Sequence, residues 1–121
     1  MRSNMATIHI RDLSLRTIIG IQEWERDKQQ DIVINITLDY NATRAVETDD
    51  IVDAVDYKAL KRKIIHLAEN SRFNLVEKMA SEILGIVMED SRVKAASVTI
   101  DKPQALRFAK SVGVTVSRKR S

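Results

Sequence analysis

Several residue types are absent from this chain of 121 residues or rare in it, and each absence narrows its chemistry. There is no cysteine, so the chain can form no disulfide, no thiolate nucleophile and no cysteine-ligated zinc site. No apolar run approaches the roughly 18 residues that a membrane-spanning helix needs, and no secretory signal is recognisable. We therefore expect a cytoplasmic protein with no membrane partner.

Charge and aromatic content argue against a nucleic-acid-binding protein. Lysine and arginine number 20 against 17 aspartate and glutamate, a formal net charge of +3, and the chain has one tryptophan, two tyrosines and two phenylalanines. Much of the basic excess lies in the tail, residues 117–121. A nucleic-acid binder would show a basic stripe interleaved with aromatics, and none is present. We expect no nucleic-acid partner.

The patterning of the chain predicts one domain over residues 5–121, with residues 1–4 a leader that precedes it. Hydrophobic periodicity predicts strands over 7–19, 31–40, 93–101 and 108–118, and helices over 56–70 and 75–90. In the first strand the alternation slips by one residue at Arg11 and Asp12, as a β-bulge would make it. Asn74 is the predicted N-cap of the second helix, and Glu77 would complete a capping box.

The predicted strands have one apolar and one polar face. The apolar side chains are Leu13, Leu15, Ile32, Ile34, Ile36, Val98, Ile100, Val112, Val114 and Val116. This pattern predicts an α+β fold in the order ββααββ, a four-stranded antiparallel sheet with two helices on one face. The other face carries Ser14, Arg16, Asn35, Thr37, Ser97, Thr99, Ser111, Gly113, Thr115 and Ser117. It is either solvated or the interior of a barrel that several copies form by joining sheet edges.

Four polar residues stand out, although each also has a simpler structural explanation. Glu25 lies in a loop, where a carboxylate is usually solvated. Tyr57 opens the first helix on its apolar stripe, and Glu77 is explained by capping. Lys102 precedes Pro103 and could be a charged hairpin corner. The two histidines lack metal-ligand spacing and no phosphate-binding glycine loop occurs, so we expect no metal.

The order and spacing of short sequence words over residues 7–118 resemble the dihydroneopterin aldolase family. The words are RTIIGI (16–21), WE (24–25), QDIV (30–33), DY (56–57), RFNLVE (72–77), KP (102–103) and SVGV (111–114). The resemblance implies the tunnelling fold (T-fold), in which four subunits close a β-barrel. It also implies a homotetramer or homo-octamer with active sites between subunits.

The resemblance further implies an enzyme of folate biosynthesis that needs neither metal nor other cofactor. The expected reaction is retro-aldol cleavage of 7,8-dihydroneopterin, a pterin, to 6-hydroxymethyl-7,8-dihydropterin and glycolaldehyde. By this resemblance Lys102 is the acid–base residue, and Tyr57 of a neighbouring subunit assists proton transfer and orients the substrate side chain. Glu25 holds the trihydroxypropyl chain or a catalytic water. Glu77 binds the pterin edge, and Val76 contacts the ring through its backbone.

Two alternatives to the aldolase remain. Residues 101–109 and 30–35 look closer to the sister enzyme, dihydroneopterin triphosphate 2′-epimerase, in which Arg107 could contact the triphosphate. Residues 24–25 and 56–60 look closer to the aldolase, which we expect as the main activity. A non-catalytic T-fold assembly module is the third alternative, and the joint presence of Glu25, Tyr57, Glu77 and Lys102 argues against it.

Overall fold

The computed structural model describes residues 3–121 and contains a five-stranded sheet in the order β3-β1-β2-β4-β5. The strands are β1 (Met5–Ile19), β2 (Gln29–Asn41), β3 (Arg72–Phe73), β4 (Val93–Pro103) and β5 (Ser111–Lys119). Antiparallel pairs join β1 to β2, β2 to β4 and β4 to β5. The antiparallel sheet was predicted, whereas the neighbourhood of β2 and β4 was not. The two-residue β3 was not predicted, and it pairs in parallel with the end of β1.

Three helices accompany the sheet: α1 (Thr43–Thr48), α2 (Tyr57–Asn70) and α3 (Val76–Val87). Two 3-10 turns, Glu23–Glu25 and Ile51–Asp53, lie in the connections. The helix α2 contacts β1, whereas α3 contacts β4 and β5, so both long helices cover the same face of the sheet. The predicted α+β class and its two covering helices are therefore confirmed.

The core lies between the sheet and these two helices. Its fully buried side chains alternate along the central strands and recur at helical spacing along α2 and α3, as the periodicity predicts. They include Ile32, Ile34, Ile36, Val98, Ile100, Ile64, Met79, Ile83 and Leu84. Burial of this apolar surface is the main force that holds the helices on the sheet.

The predicted β-bulge in β1 is confirmed. The β1–β2 register shifts between Ile10 and Leu13, and Asp12 has a φ of 55°. The backbone amide of Asp12, which the bulge removes from the ladder, donates to Oδ1 of Asn35 at 2.9 Å. Aspartate tolerates this left-handed backbone better than most residues. The bulge restores the alternation, so that apolar side chains on both sides of it face the helices.

The second face of the sheet is polar and carries short side chains, as predicted. Hydroxyl pairs link β4 to β5 across this face, with 2.7 Å between Ser97 and Ser117 and 2.6 Å between Thr99 and Thr115. Cross-strand pairs of this kind stabilise neighbouring strands.

Two local predictions are wrong. The N-cap of α3 is Leu75, which makes no side-chain capping bond, so Asn74 is not the cap and Glu77 closes no capping box. The pairing of β3 with β1 holds the chain extended up to Phe73, and Leu75 is also extended, which delays the helix. The last strand begins at Ser111 rather than at residue 108, because residues 104–110 form a turn closed by the Gln104 amide and the Lys110 carbonyl at 3.1 Å.

At the N-terminal end, Met1 and Arg2 of the predicted leader lie outside the described residues. Asn4 is tied to the region around α1. Its amide donates to Oγ1 of Thr43 at 2.9 Å, and its carbonyl accepts from the Ala42 amide at 2.7 Å.

Candidate active site

Lys102 and Glu25 form a largely buried ion pair at one end of the sheet. Their Nζ and Oε2 atoms are 3.1 Å apart, and their side chains are only 15% and 9% exposed. Lys102 lies near the end of β4 and continues the alternation of Val98 and Ile100, so its side chain points to the helix-covered face. Glu25 ends the 3-10 turn that follows β1. Neither residue is the solvated group that its simpler explanation supposes.

The Glu25 carboxylate also accepts hydrogen bonds from two other residues of the chain. The backbone amide of Gln22 donates to Oε1 at 3.1 Å, and the side-chain Nε2 of Gln30 donates to Oε2 at 3.2 Å. The same Gln30 nitrogen also donates to the Ile19 carbonyl at 2.7 Å. Gln30 therefore joins the end of β1 to the carboxylate and limits how Glu25 can turn.

Gln30 is a site residue that was not predicted from the sequence, although its position in β2 carries a signal. Gln30 occupies an inward-facing position of β2, in the same alternation as Ile32, Ile34 and Ile36. A polar amide at a position of this kind must find hydrogen-bond partners, because burying it without them is costly.

Gly20 makes room for the carboxylate. Its φ is 135°, a backbone conformation that L side chains rarely adopt. A Cβ at this position would overlap the Glu25 carboxyl group and lie 2.6 Å from Oε2. The close approach of backbone and carboxylate thus requires glycine here.

The pKa of Glu25 is set by opposing effects. Burial raises it, but hydrogen bonds from Lys102, the Gln22 backbone and Gln30, with the positive charge of Lys102, lower it more. The net pKa lies below the ordinary value of 4.5. The site therefore presents the Glu25 carboxylate as an acceptor 3.1 Å from the Lys102 amino group, an arrangement suited to holding hydroxyl groups and transferring protons.

The start of α3 lies near this pair. The Gly20 amide donates to the Phe73 carbonyl at 2.9 Å, which ties the chain just before α3 to the start of the Glu25 loop. Val76 and Glu77 form the first turn of α3, where Val76 packs against the core and Glu77 is exposed. Within residues 3–121 Glu77 has no ion-pair partner, so its carboxylate is available to planar donors.

Tyr57, by contrast, lies at the first turn of α2, whereas the last turn of α2 is the part that contacts β1. The last turn of α2 contacts the end of β1, where Oγ1 of the buried Thr17 donates to the Ala68 carbonyl at 2.7 Å. Tyr57 opens α2 eleven residues earlier, which places it about 16 Å away along the helix axis. Its side chain is 53% exposed and not packed in the core. One chain therefore brings Lys102 and Glu25 into contact and links the segment before Val76 and Glu77 to the Glu25 loop through Gly20. It places Tyr57 at the opposite end of α2.

Among residues 3–121 there is no group of three or more histidine, aspartate or glutamate side chains placed to hold a metal ion. The same residues include no helix long and apolar enough to cross a membrane.

The fold agrees with what comparison with known proteins finds. The family model FolB, dihydroneopterin aldolase, matches residues 8–117. The chain thus belongs to the FolB dihydroneopterin aldolase family, as its sequence words predict, and it is an enzyme of that family.

Individual relatives carry two different names. The chain is 47% identical to dihydroneopterin triphosphate 2′-epimerase of Pseudomonas aeruginosa, over 97% of this chain and 95% of the relative. It is 46% identical to the Escherichia coli protein of the same name, over 99% and 100%. Dihydroneopterin aldolase of Escherichia coli is 29% identical, over 94% and 93%. The identities favour the predicted alternative, the epimerase, over the aldolase.

Solved structures of the family confirm the predicted T-fold. Escherichia coli dihydroneopterin aldolase in complex with neopterin superposes with a TM-score of 0.87 at 28% identity, covering 93% of this chain and 98% of that one. A Vibrio cholerae protein described as a FolB dihydroneopterin aldolase superposes with a TM-score of 0.90 at 32% identity, covering 97% and 99%.

Proposed function

We propose that this chain is a dihydroneopterin triphosphate 2′-epimerase, a cytoplasmic enzyme that uses no metal or other cofactor. The choice between the two family activities rests on one observation. Identity to proteins named as the epimerase is 46–47% over nearly the whole chain, against 28–32% to proteins named as the aldolase. The chemistry rests on the buried Lys102–Glu25 pair, which serves both reactions.

The substrate supplies its own electron sink, the C6=N5 imine of the dihydropterin ring. A base removes the proton of the 2′-hydroxyl, the C1′–C2′ bond breaks, and its electrons pass through C6 to N5, which accepts a proton. In the epimerase the aldehyde then turns and re-adds to C1′ through its opposite face. In the aldolase the aldehyde leaves and C1′ is protonated instead. In both reactions N5 then gives up its proton, which restores the C6=N5 imine, and in the epimerase the 2′-oxygen takes up a proton as the bond forms again.

Each candidate residue has a role in this scheme. Lys102 donates and accepts the protons, and the Glu25 carboxylate holds the hydroxyls of the side chain or a catalytic water. Glu77 binds the amino-pyrimidine edge of the pterin through a bidentate carboxylate, and the Val76 backbone contacts the ring. Aldolase activity is the second candidate function, supported by the family match and by the cleavage step that both reactions share.

We further propose that a neighbouring subunit supplies Tyr57. The position of Tyr57, at the end of α2 opposite to the Ala68 contact with β1, supports this. The edge position of β5 and the small polar face of the sheet also support it, because they suit closure of a barrel by four copies. Mixing two inactive variants, Tyr57→Ala and Lys102→Ala, should restore about one quarter of wild-type activity, because a quarter of the sites at a subunit seam would receive both intact residues. No recovery after verified subunit exchange would refute the supply of Tyr57 by a neighbouring subunit.

The function is tested by incubating the protein separately with 7,8-dihydroneopterin triphosphate and 7,8-dihydroneopterin and separating the pterin products by chromatography. We expect mainly the 2′-epimer from the triphosphate. Lys102→Ala should abolish most turnover but leave pterin binding. Lys61→Ala, a matched change of an exposed lysine on α2, should leave both turnover and pterin binding unchanged. Mainly 6-hydroxymethyl-7,8-dihydropterin from the free triol, with no epimer from the triphosphate, would make the protein an aldolase.

A further inference from the structure

A cavity of about 240 Å³ lies beside the Glu25 loop and has two arginines in its wall. Its lining residues are Ile18, Gly20, Arg26, Arg72, Phe73 and Asn74. Gly20 also lies against the Glu25 carboxyl group, so one residue separates the cavity from the ion pair. The cavity is thus within reach of a substrate whose reacting bond lies at Lys102.

Both guanidinium groups have unused hydrogen-bond donors. Within residues 3–121 Arg72 donates through Nη1 alone, to Oδ1 of Asp27 at 3.2 Å and to the Arg26 carbonyl at 3.4 Å. The side chain of Arg26 makes no hydrogen bond to any described residue. Planar guanidinium groups with free donors match the geometry of phosphate oxygens.

Asp27 is the acidic group that pairs with Arg72. Its side chain is 84% exposed, and that of Arg72 is 68% exposed. An exposed ion pair of this kind contributes little and is weakened by salt, so an incoming polyanion can compete for the arginine.

We propose that this cavity binds the triphosphate of the substrate and, after C1′–C2′ cleavage, retains the aldehyde fragment that carries it. The inference rests on the proposed epimerase function. Cleavage turns C2′ into an aldehyde carbon that still bears C3′ and its triphosphate, and re-addition forms the same bond again without any oxidant or reductant. An aldehyde that leaves before re-addition gives cleavage. Anchoring at Arg26 and Arg72 therefore sets the ratio of epimerisation to cleavage.

Arg107, the triphosphate contact considered from the sequence, is less suited to this role. It lies in the turn between β4 and β5, with its guanidinium 5.0 Å from the centroid of the Phe108 ring. The Phe108 side chain is 97% exposed, so this stack faces solvent and not a cavity. The variant Arg107→Ala is therefore included in the test below as the competing triphosphate contact.

The test compares Arg26→Ala, Arg72→Ala and the double variant with Arg62→Ala, an exposed arginine of α2. For the triphosphate we expect KM to rise about tenfold to a hundredfold in the double variant, the range for losing hydrogen bonds to a charged group. The product ratio should shift from the 2′-epimer towards 6-hydroxymethyl-7,8-dihydropterin, which a general loss of stability would not cause. Arg72→Lys should retain part of the affinity for the triphosphate that Arg72→Ala loses. Asp27→Asn should raise the affinity for the triphosphate above that of the wild type.

Calorimetric titration with inorganic tripolyphosphate gives a readout independent of turnover. If tripolyphosphate binds to the wild type and to Arg62→Ala but not to the double variant, the cavity is supported as the anion site. That conclusion would hold even if no epimer were formed, because the absence of epimer would refute only the proposed function. Unchanged tripolyphosphate affinity and product ratio in the double variant, or changes confined to Arg107→Ala, would overturn the inference.

Discussion

The Lys102–Glu25 pair makes a quantitative prediction about stability. At 3.1 Å, Coulomb's law with an effective dielectric constant of about 20 gives roughly 5 kcal/mol. Breaking a buried pair costs about 3–5 kcal/mol in other proteins. Because Lys102 keeps some contact with water, we expect the lower end. A double-mutant cycle with Lys102→Met and Glu25→Gln should give a coupling free energy of about 2–3 kcal/mol at pH 7.

The coupling should depend on pH with a defined sign. The pKa of Glu25 is lowered in the folded chain, so the ionised carboxylate stabilises the fold above its ordinary value of 4.5. This contribution is lost as the pH falls through the folded-state pKa. Removing Lys102 also removes two effects that lower the pKa of Glu25, so the variant should lose the contribution at a higher pH than the wild type.

The assay is urea unfolding of all four proteins of the cycle at pH 7 and across the acidic range. All are measured at one protein concentration, because the stability of a self-associating protein depends on its concentration. The cost of Lys102→Met should shrink as Glu25 becomes protonated. A coupling below about 0.5 kcal/mol at pH 7, the level of an exposed pair, would refute the argument, and so would a cost that does not change with pH.

Three further changes test how the site is held. Gly20→Ala should cost about 2–4 kcal/mol in urea unfolding, from the positive φ and the overlap with the Glu25 carboxyl group; a near-neutral result would contradict the close packing. Thr17→Val, which keeps the shape, should cost about 1–3 kcal/mol because the Ala68 carbonyl loses its buried donor; no loss in the same assay would mean that water replaces the hydroxyl. Gln30→Met should raise the pKa of Glu25, because it removes a hydrogen bond that lowers this pKa, so the acidic limb of the pH–rate profile should move to higher pH; an unmoved limb would show that Gln30 does not affect the pKa of Glu25.

Much of the fold was predictable because it depends on local periodicity. Alternation along β2 and β4 determines which side chains face the helices, and helical spacing does the same for α2 and α3. A slip in that alternation was enough to locate the bulge at Asp12. Asp56, whose carboxylate accepts from the Ala59 amide at 3.1 Å, caps α2 within one residue of the predicted start.

Other features depend on contacts between distant segments. The two residues of β3 are too short to show a period, and only their pairing with β1 makes them a strand and moves the start of α3 past Asn74. A pattern confined to one segment contains no information about which remote backbone will pair with it.

The candidate site shows the same division. The family, the element order and the residue types worth testing could be read from the sequence, because short words and periods are local properties. That Glu25 and Lys102, 77 residues apart, meet in a buried ion pair oriented by Gln30 emerges only when the chain is folded, and so does the place of Tyr57 at the opposite end of α2 from the Ala68 contact with β1. Burial and partner choice arise when the sheet, loop and helices pack together, since the same carboxylate is either solvated or buried depending on what folds over it.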